Sequence, residues 1–149
     1  MEKPRLLKRN ITISTPEKRY VGGSIEQTTA ACVSELMNAA TSFHKLHLKV
    51  TGIGSFAAHK ALNDLYDALV DHADNLAEGY QGAAETLLKY NEIPNKTLNT
   101  VEDGLDYIRM LIDMVTGLQS KMPYSEIVNE LDTVKSSLNS AKYKLKFLK

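Results

Sequence analysis

The sequence predicts an all-α protein: a four-helix bundle over residues 24–149, preceded by a basic arm over residues 1–23. Two observations carry this expectation. Four segments repeat apolar residues at the helical period of about 3.6, each opening at a capping side chain. Glycine pairs or prolines separate them, leaving two short connections around one longer one, as in an up-down bundle with a crossover in the middle. The 149 residues suit a single domain, and a chain of this size buries about 68–70% of its unfolded surface without needing staples.

Residues 1–23 show no helical period, carry Pro4 and Pro16 and end in Gly22 and Gly23, which reads as an arm. Ile11 to Thr15 alternates like a short strand. The first helix begins at Ser24, with Gln27 completing a capping box, and Ile25, Cys32, Leu36, Ala40, Phe43, His47 and Val50 recur on one face. Gly52 and Gly54 break it, and Ser55 is the expected cap of the second helix. Leu62, Leu65, Leu69, Ala73, Leu76 and Tyr80 make that helix's apolar face. Gly79 and Gly82 weaken its end, and by Pro94 it must have stopped. The third helix spans 100–121, with Thr100 and Asp103 as a capping pair and Val101, Leu105, Ile108, Ile112, Val115 and Leu118 facing inward. After Pro123, Ser125 is the expected cap of the fourth. Ile127, Leu131, Val134, Leu138, Ala141, Leu145 and Leu148 form its inner stripe, and Met110, Met114 and Met122 read as packing.

Lys plus Arg and Asp plus Glu both number 18, but the charges are unevenly placed. The arm holds Lys3, Arg5, Lys8, Arg9, Lys18 and Arg19, and the C-terminal stretch adds Lys142, Lys144, Lys146 and Lys149, leaving the middle acidic. The arm's free cations suit salt-sensitive, sequence-independent contact with a DNA backbone. Cations in the last turns of the fourth helix also offset its dipole. A lone cysteine, Cys32, excludes an intramolecular disulfide and sits on an apolar face as core filler. No apolar run approaches a membrane span and no signal-peptide core is present, so the expected location is cytoplasmic or within a virion. Serine or cysteine triads, phosphate-cradling glycine loops and zinc cysteine clusters are not recognisable.

The second helix carries the densest chemistry. His59, Asn63, Asp67, Asp71, Asp74 and Glu78 follow one another at spacings of three or four residues, a stripe flanking the apolar face. His47 lies just upstream. Imidazoles and carboxylates in this pattern suit a metal held by nitrogen and oxygen. Asp67 and Asp71 alone read as a solvated acidic face, His44 as a surface residue, and His72 points away from the stripe.

The segments His47-Leu-Lys-Val-Thr-Gly52, Phe56, His59, Tyr66, Asp67 and Asp71-His-Ala-Asp74-Asn-Leu-Ala-Glu78 resemble the signature of the Dps proteins, DNA-binding proteins from starved cells. That resemblance implies a ferritin-like bundle that oligomerises, oxidises and stores ferrous iron at sites between subunits, and often coats DNA. It implies His47 and His59 from one chain, and Asp74 and Glu78 from another, as iron ligands. Leu48 and Asn63 stand where the family usually has Trp and Asp. Asn63 removes an anionic ligand but keeps a carbonyl oxygen, which lowers affinity for a second metal. Residues 79–99 are also too few for the short helix of the family's crossover. Short chains of this kind resemble bacteriophage-encoded proteins as well. No Glu is followed by His at the Glu-x-x-His spacing of an intrachain di-iron centre. Two function classes follow: an iron-binding mini-ferritin with ferroxidase chemistry and non-specific DNA binding, or a non-enzymatic structural or cargo module, for example of a phage particle, whose partner is another structural protein.

Overall fold

A computed structural model of the protein describes residues 23–149. The arm's six cations and the strand-like Ile11 to Thr15 lie outside the described residues. The four expected helices are present: α1 (Ile25–His47), α2 (Ser55–Ala84), α3 (Val101–Gln119) and α4 (Ser125–Phe147). No strand occurs among the described residues.

Two helix starts follow the sequence. Ser24 accepts from the Gln27 amide while the Gln27 side chain accepts from the Ser24 amide, and Thr100 and Asp103 repeat the exchange, so each box satisfies two otherwise orphaned amides. The Asp103 carboxylate also accepts from the Asn99 and Thr100 amides, and these bonds, Asn99 first, hold its carboxyl below the ordinary range. The other two starts differ from expectation. Ser55 and Ser125 are the first helical residues, and the cap positions belong to Gly54 and Tyr124, with no side-chain cap bond. Gly52 and Gly54 adopt φ of +88° and +82°, conformations that admit glycine freely, and thereby reverse the chain between α1 and α2. The second helix runs through Gly79 and Gly82 and stops at Glu85, a non-glycine residue in the left-handed region at φ 53°, well before Pro94.

Packing fixes the topology. α1 contacts α2 and α3, and α4 contacts α2 and α3. His47 meets His59, Glu35 meets Tyr107, Lys144 meets Asp64 and Gln119 meets Asp132, so each packed pair runs antiparallel. α2 and α3 are therefore parallel to each other, and residues 85–100 carry the chain back along α1. Three α1 side chains clip that crossover by donating to its carbonyls: Asn38 to Ile93, Ser42 to Lys96 (2.7 Å) and Lys49 to Leu98 (2.8 Å). Leu88 and Leu98 anchor it in the core.

The core is continuous across all four helices, and the inward stripes read from the sequence are buried except at their ends, where Ile25, Val50 and Val101 are only partly so, and at two further positions. In α3 it is Leu111 that is fully buried, while Ile112 is only partly so, and Leu148 lies past the end of α4 and is exposed. Gly104 marks a close approach of α3 to α1, since a Cβ there would stand 2.9 Å from Leu46 Cδ2 and the leucine side chain would have to shift. Cys32 is fully enclosed, and burial pushes its thiol up to about 12, with Glu35 adding to the effect. Glu35 is itself buried, accepting from the Tyr107 hydroxyl at 2.5 Å. No described helix is long and apolar enough to cross a membrane.

Candidate metal centre

His47 closes α1 and His59 lies in the second turn of α2, so the tight glycine turn brings them face to face. Their rings stack with centroids 3.7 Å apart at an angle of 24°. His47 Nδ1 lies 2.9 Å from the His59 carbonyl oxygen, and His59 Nδ1 lies 3.1 Å from the His47 carbonyl oxygen. A carbonyl oxygen only accepts, so each Nδ1 carries a proton, and in the neutral ring the lone pair is then on Nε2. Reciprocal bonds of this sort lock both tautomers and both ring orientations, as outer-shell partners do for metal-binding imidazoles. His47 is buried and His59 half-buried.

Two more rings extend the cluster. Tyr66 stacks on His44 with centroids 4.0 Å apart and meets His47 edge-on at 5.3 Å. Its hydroxyl donates to Asn63 Oδ1 at 2.8 Å, and Asn63 Nδ2 reaches Asp67 Oδ2 at 3.3 Å. Asn63 thus spends one carbonyl lone pair on Tyr66 and has one left. His44 is exposed, as expected for a surface position, yet its face is covered by Tyr66.

Asp74 and Glu78 are exposed and one helical turn apart. At about 1.5 Å rise per residue they stand roughly 22–29 Å along α2 from His59, too far to share an ion with it inside one chain. Accordingly, no three His, Cys, Asp or Glu side chains converge among the described residues. The sequence stripe is real as a helix face, but a single chain divides it into an imidazole end and a carboxylate end.

Residues 47–145, well over half of the chain, match the family of unknown function DUF5856. The chain belongs to this family. The DUF5856 match opens at His47 and contains His59, Asn63, Asp74 and Glu78, while α1 before His47 precedes it. No curated protein and no solved structure matches the chain.

Sequence reasoning missed His72. It is buried in the seam between α2 and α4, with Nε2 2.8 Å from Ser137 Oγ and Nδ1 3.7 Å from Glu130 Oε2, and that Nδ1 has no hydrogen-bond partner. The order of contacts imitates a nucleophile, base and acid. Glu130 nevertheless lies beyond hydrogen-bond length, and Ser137 sits inside a helix whose amides are committed to the helical ladder, leaving no oxyanion donors beside it. The trio is polar packing. An isolated histidine among acids offers no spacing signal that would have revealed it.

Proposed function

We propose that the protein is a Dps-like, ferritin-like iron-binding protein that takes up ferrous iron at sites shared between two chains, oxidises it and sequesters it. The observation that carries this reading is the pair of reciprocal Nδ1–carbonyl bonds, which leaves two Nε2 lone pairs on adjacent rings. Two imidazoles joined by carboxylates are a donor set compatible with ferrous iron. The bundle's single long crossover, with α2 and α3 parallel, is the connectivity associated with ferritin-like folds. In this reading His47 and His59 of one chain face Asp74 and Glu78 of another, Asn63 offers its remaining carbonyl lone pair, and each ferrous ion gives one electron to an oxidant from solution. The arm cations Lys3, Arg5, Lys8, Arg9, Lys18 and Arg19 would add sequence-independent DNA contact.

Calorimetry under anaerobic ferrous titration tests the site. Asp74→Ala or Glu78→Ala should abolish saturable binding, Asp67→Ala should leave most of it, and Asn63→Asp should tighten it by restoring an anionic ligand. No binding by the unaltered chain would instead select the non-enzymatic assembly module, a reading favoured by one observation: no three ligands converge within a chain among the described residues.

A further inference from the structure

We propose that the end of the bundle formed by the α1–α2 turn and the close of α4 docks on an anionic lipid surface, with lysines meeting phosphate headgroups and Ile53, Phe56 and Phe147 entering the boundary between headgroups and acyl chains.

Charge is sorted along the bundle axis. Residues 36–63 contain Lys45, Lys49 and Lys60 and no acid, and residues 133–149 contain Lys135, Lys142, Lys144, Lys146 and Lys149 and no acid. α1 ends, α2 begins and α4 ends at the same place, so the two stretches converge: a Cβ added to Gly54 would stand 3.3 Å from Lys149 Cα. The acids at this end are Asp64 and, at the start of α3, Glu102, Asp103 and Asp106. Lys144 pairs with Asp64 at 3.6 Å, Arg109 pairs with Asp106 at 2.8 Å, and Asp103 is committed to its capping box beside Lys49. The far half of α2 and the first half of α4 hold Asp71, Asp74, Glu78, Glu126 and Glu130. In a chain of zero net charge, this sorting leaves the turn end cationic.

The same end exposes large apolar side chains. Ile53, at the tip of the turn, is 98% exposed, Phe56 74% and Phe147 62%, with Leu48 and Leu148 also open to solvent. Lys146 Nζ lies 5.8 Å from the centre of the Phe147 ring, and Tyr143 is 5.7 Å from that ring, so cation and aromatics share one face. Lys49, Ile53, Ser55, Leu148 and Lys149 line a single cleft of about 370 Å³. α2 starts there with no side-chain cap and no acid in its first turn, which leaves its positive end open to a phosphate group.

The combination selects the occupant. Lysines alone would serve any polyanion, but aliphatic side chains gain nothing from a sugar-phosphate backbone and gain burial among acyl chains. Cations around apolar tips suit a protein that lies on a membrane, drawn by anionic headgroups and held by a few inserted side chains without spanning the bilayer. A second copy presenting the same end would set lysine against lysine.

The test is co-sedimentation of the full chain with vesicles of equal parts phosphatidylglycerol and phosphatidylcholine, against vesicles of phosphatidylcholine alone. Binding should require the anionic lipid. Ile53→Ser should weaken it by about tenfold, and Lys146→Gln and Lys149→Gln by about fivefold each, with far-ultraviolet helicity unchanged. An environment-sensitive fluorophore on Ile53→Cys should shift to shorter wavelength on the vesicles, whereas one on Leu87→Cys, exposed at the opposite end of the bundle, should not. Cys32 is enclosed and stays unlabelled. The basic arm is the same in every variant, so binding that survives all three substitutions belongs to the arm and overturns the proposal. An absence of pelleting, or an equal shift at Leu87→Cys, overturns it too. Displacement by inorganic phosphate at an ionic strength where chloride leaves binding intact would assign the cleft to a soluble anion instead, and a DNA oligonucleotide held through Lys146 and Lys149 without vesicle binding would assign the patch to nucleic acid; either result retires the lipid surface.

Discussion

Gly82→Ala should stabilise the protein, while Gly79→Ala, three residues earlier in the same helix, should not. Both glycines lie inside α2 and neither has a left-handed φ. Each therefore carries the backbone entropy penalty of a helical glycine, about 1 kcal/mol relative to alanine in a helix interior and nearer 0.5 kcal/mol close to an end. At Gly82 an added Cβ meets nothing within 4 Å, so the gain is uncompensated. At Gly79 the same atom would stand 2.9 Å from Ile127 Cδ1 in the α2–α4 seam. Ile127 must rotate or α4 must shift, and overpacking of this kind costs about 1–3 kcal/mol, cancelling or exceeding the propensity gain. With Tm moving roughly 2–4 °C per kcal/mol at about this chain length, Gly82→Ala should raise Tm by roughly 1–4 °C and Gly79→Ala should leave it level or lower. Thermal unfolding followed by far-ultraviolet circular dichroism reads both. A lower Tm for Gly82→Ala, or equal gains at the two positions, would refute the reasoning.

Cys32 supplies a pH-dependent expectation. Its thiol is pushed up to about 12 in the folded chain, from the ordinary thiol value of 9.0, by burial first and by the nearby Glu35 second. A raised pKa means that its contribution is fully present below about pH 9 and is lost as pH rises toward 12, at about 1.4 kcal/mol per unit. Comparing denaturant midpoints of the unaltered chain with Cys32→Ala between these limits isolates the effect, and a constant difference would contradict it. The arm gives a second expectation: deleting residues 1–19 should abolish DNA retention while leaving the bundle intact, and retention by the full chain should fall steeply between roughly 50 and 200 mM salt. A gel-shift titration checks this, and an absent shift at the low-salt end removes DNA from the partners.

The bundle was legible because helix periodicity and capping boxes are local. Ser24 with Gln27 and Thr100 with Asp103 announce their helix starts in four residues each, and the structure uses both. Ser55 and Ser125 misled because a serine just before an apolar stripe can equally be the first helical residue, and the conformational work at residues 52–54 belongs to two left-handed glycines. The meeting of His47 and His59 was foreseeable from an antiparallel hairpin with a short turn. Their mutual carbonyl bonds were not, since a backbone acceptor leaves no trace in residue identity. Glu35 and His72 escaped for a related reason. Their burial depends on partners, Tyr107 and Ser137, supplied by other helices far away in sequence.

The clip between α1 and the crossover bears on how the chain could misassemble. α1 with α2, and α3 with α4, are two helical hairpins joined only by residues 85–100, the arrangement in which neighbouring molecules can exchange halves. An exchanged dimer would have to peel the crossover from its own α1, giving up the bonds from Asn38, Ser42 and Lys49 and withdrawing Leu88 and Leu98 from the core. Those groups make trading hairpins unfavourable although they bury little of the bundle's own seam. They act as a lock on chain identity, and weakening all three donors at once is the route by which this monomer fold would become an intertwined one.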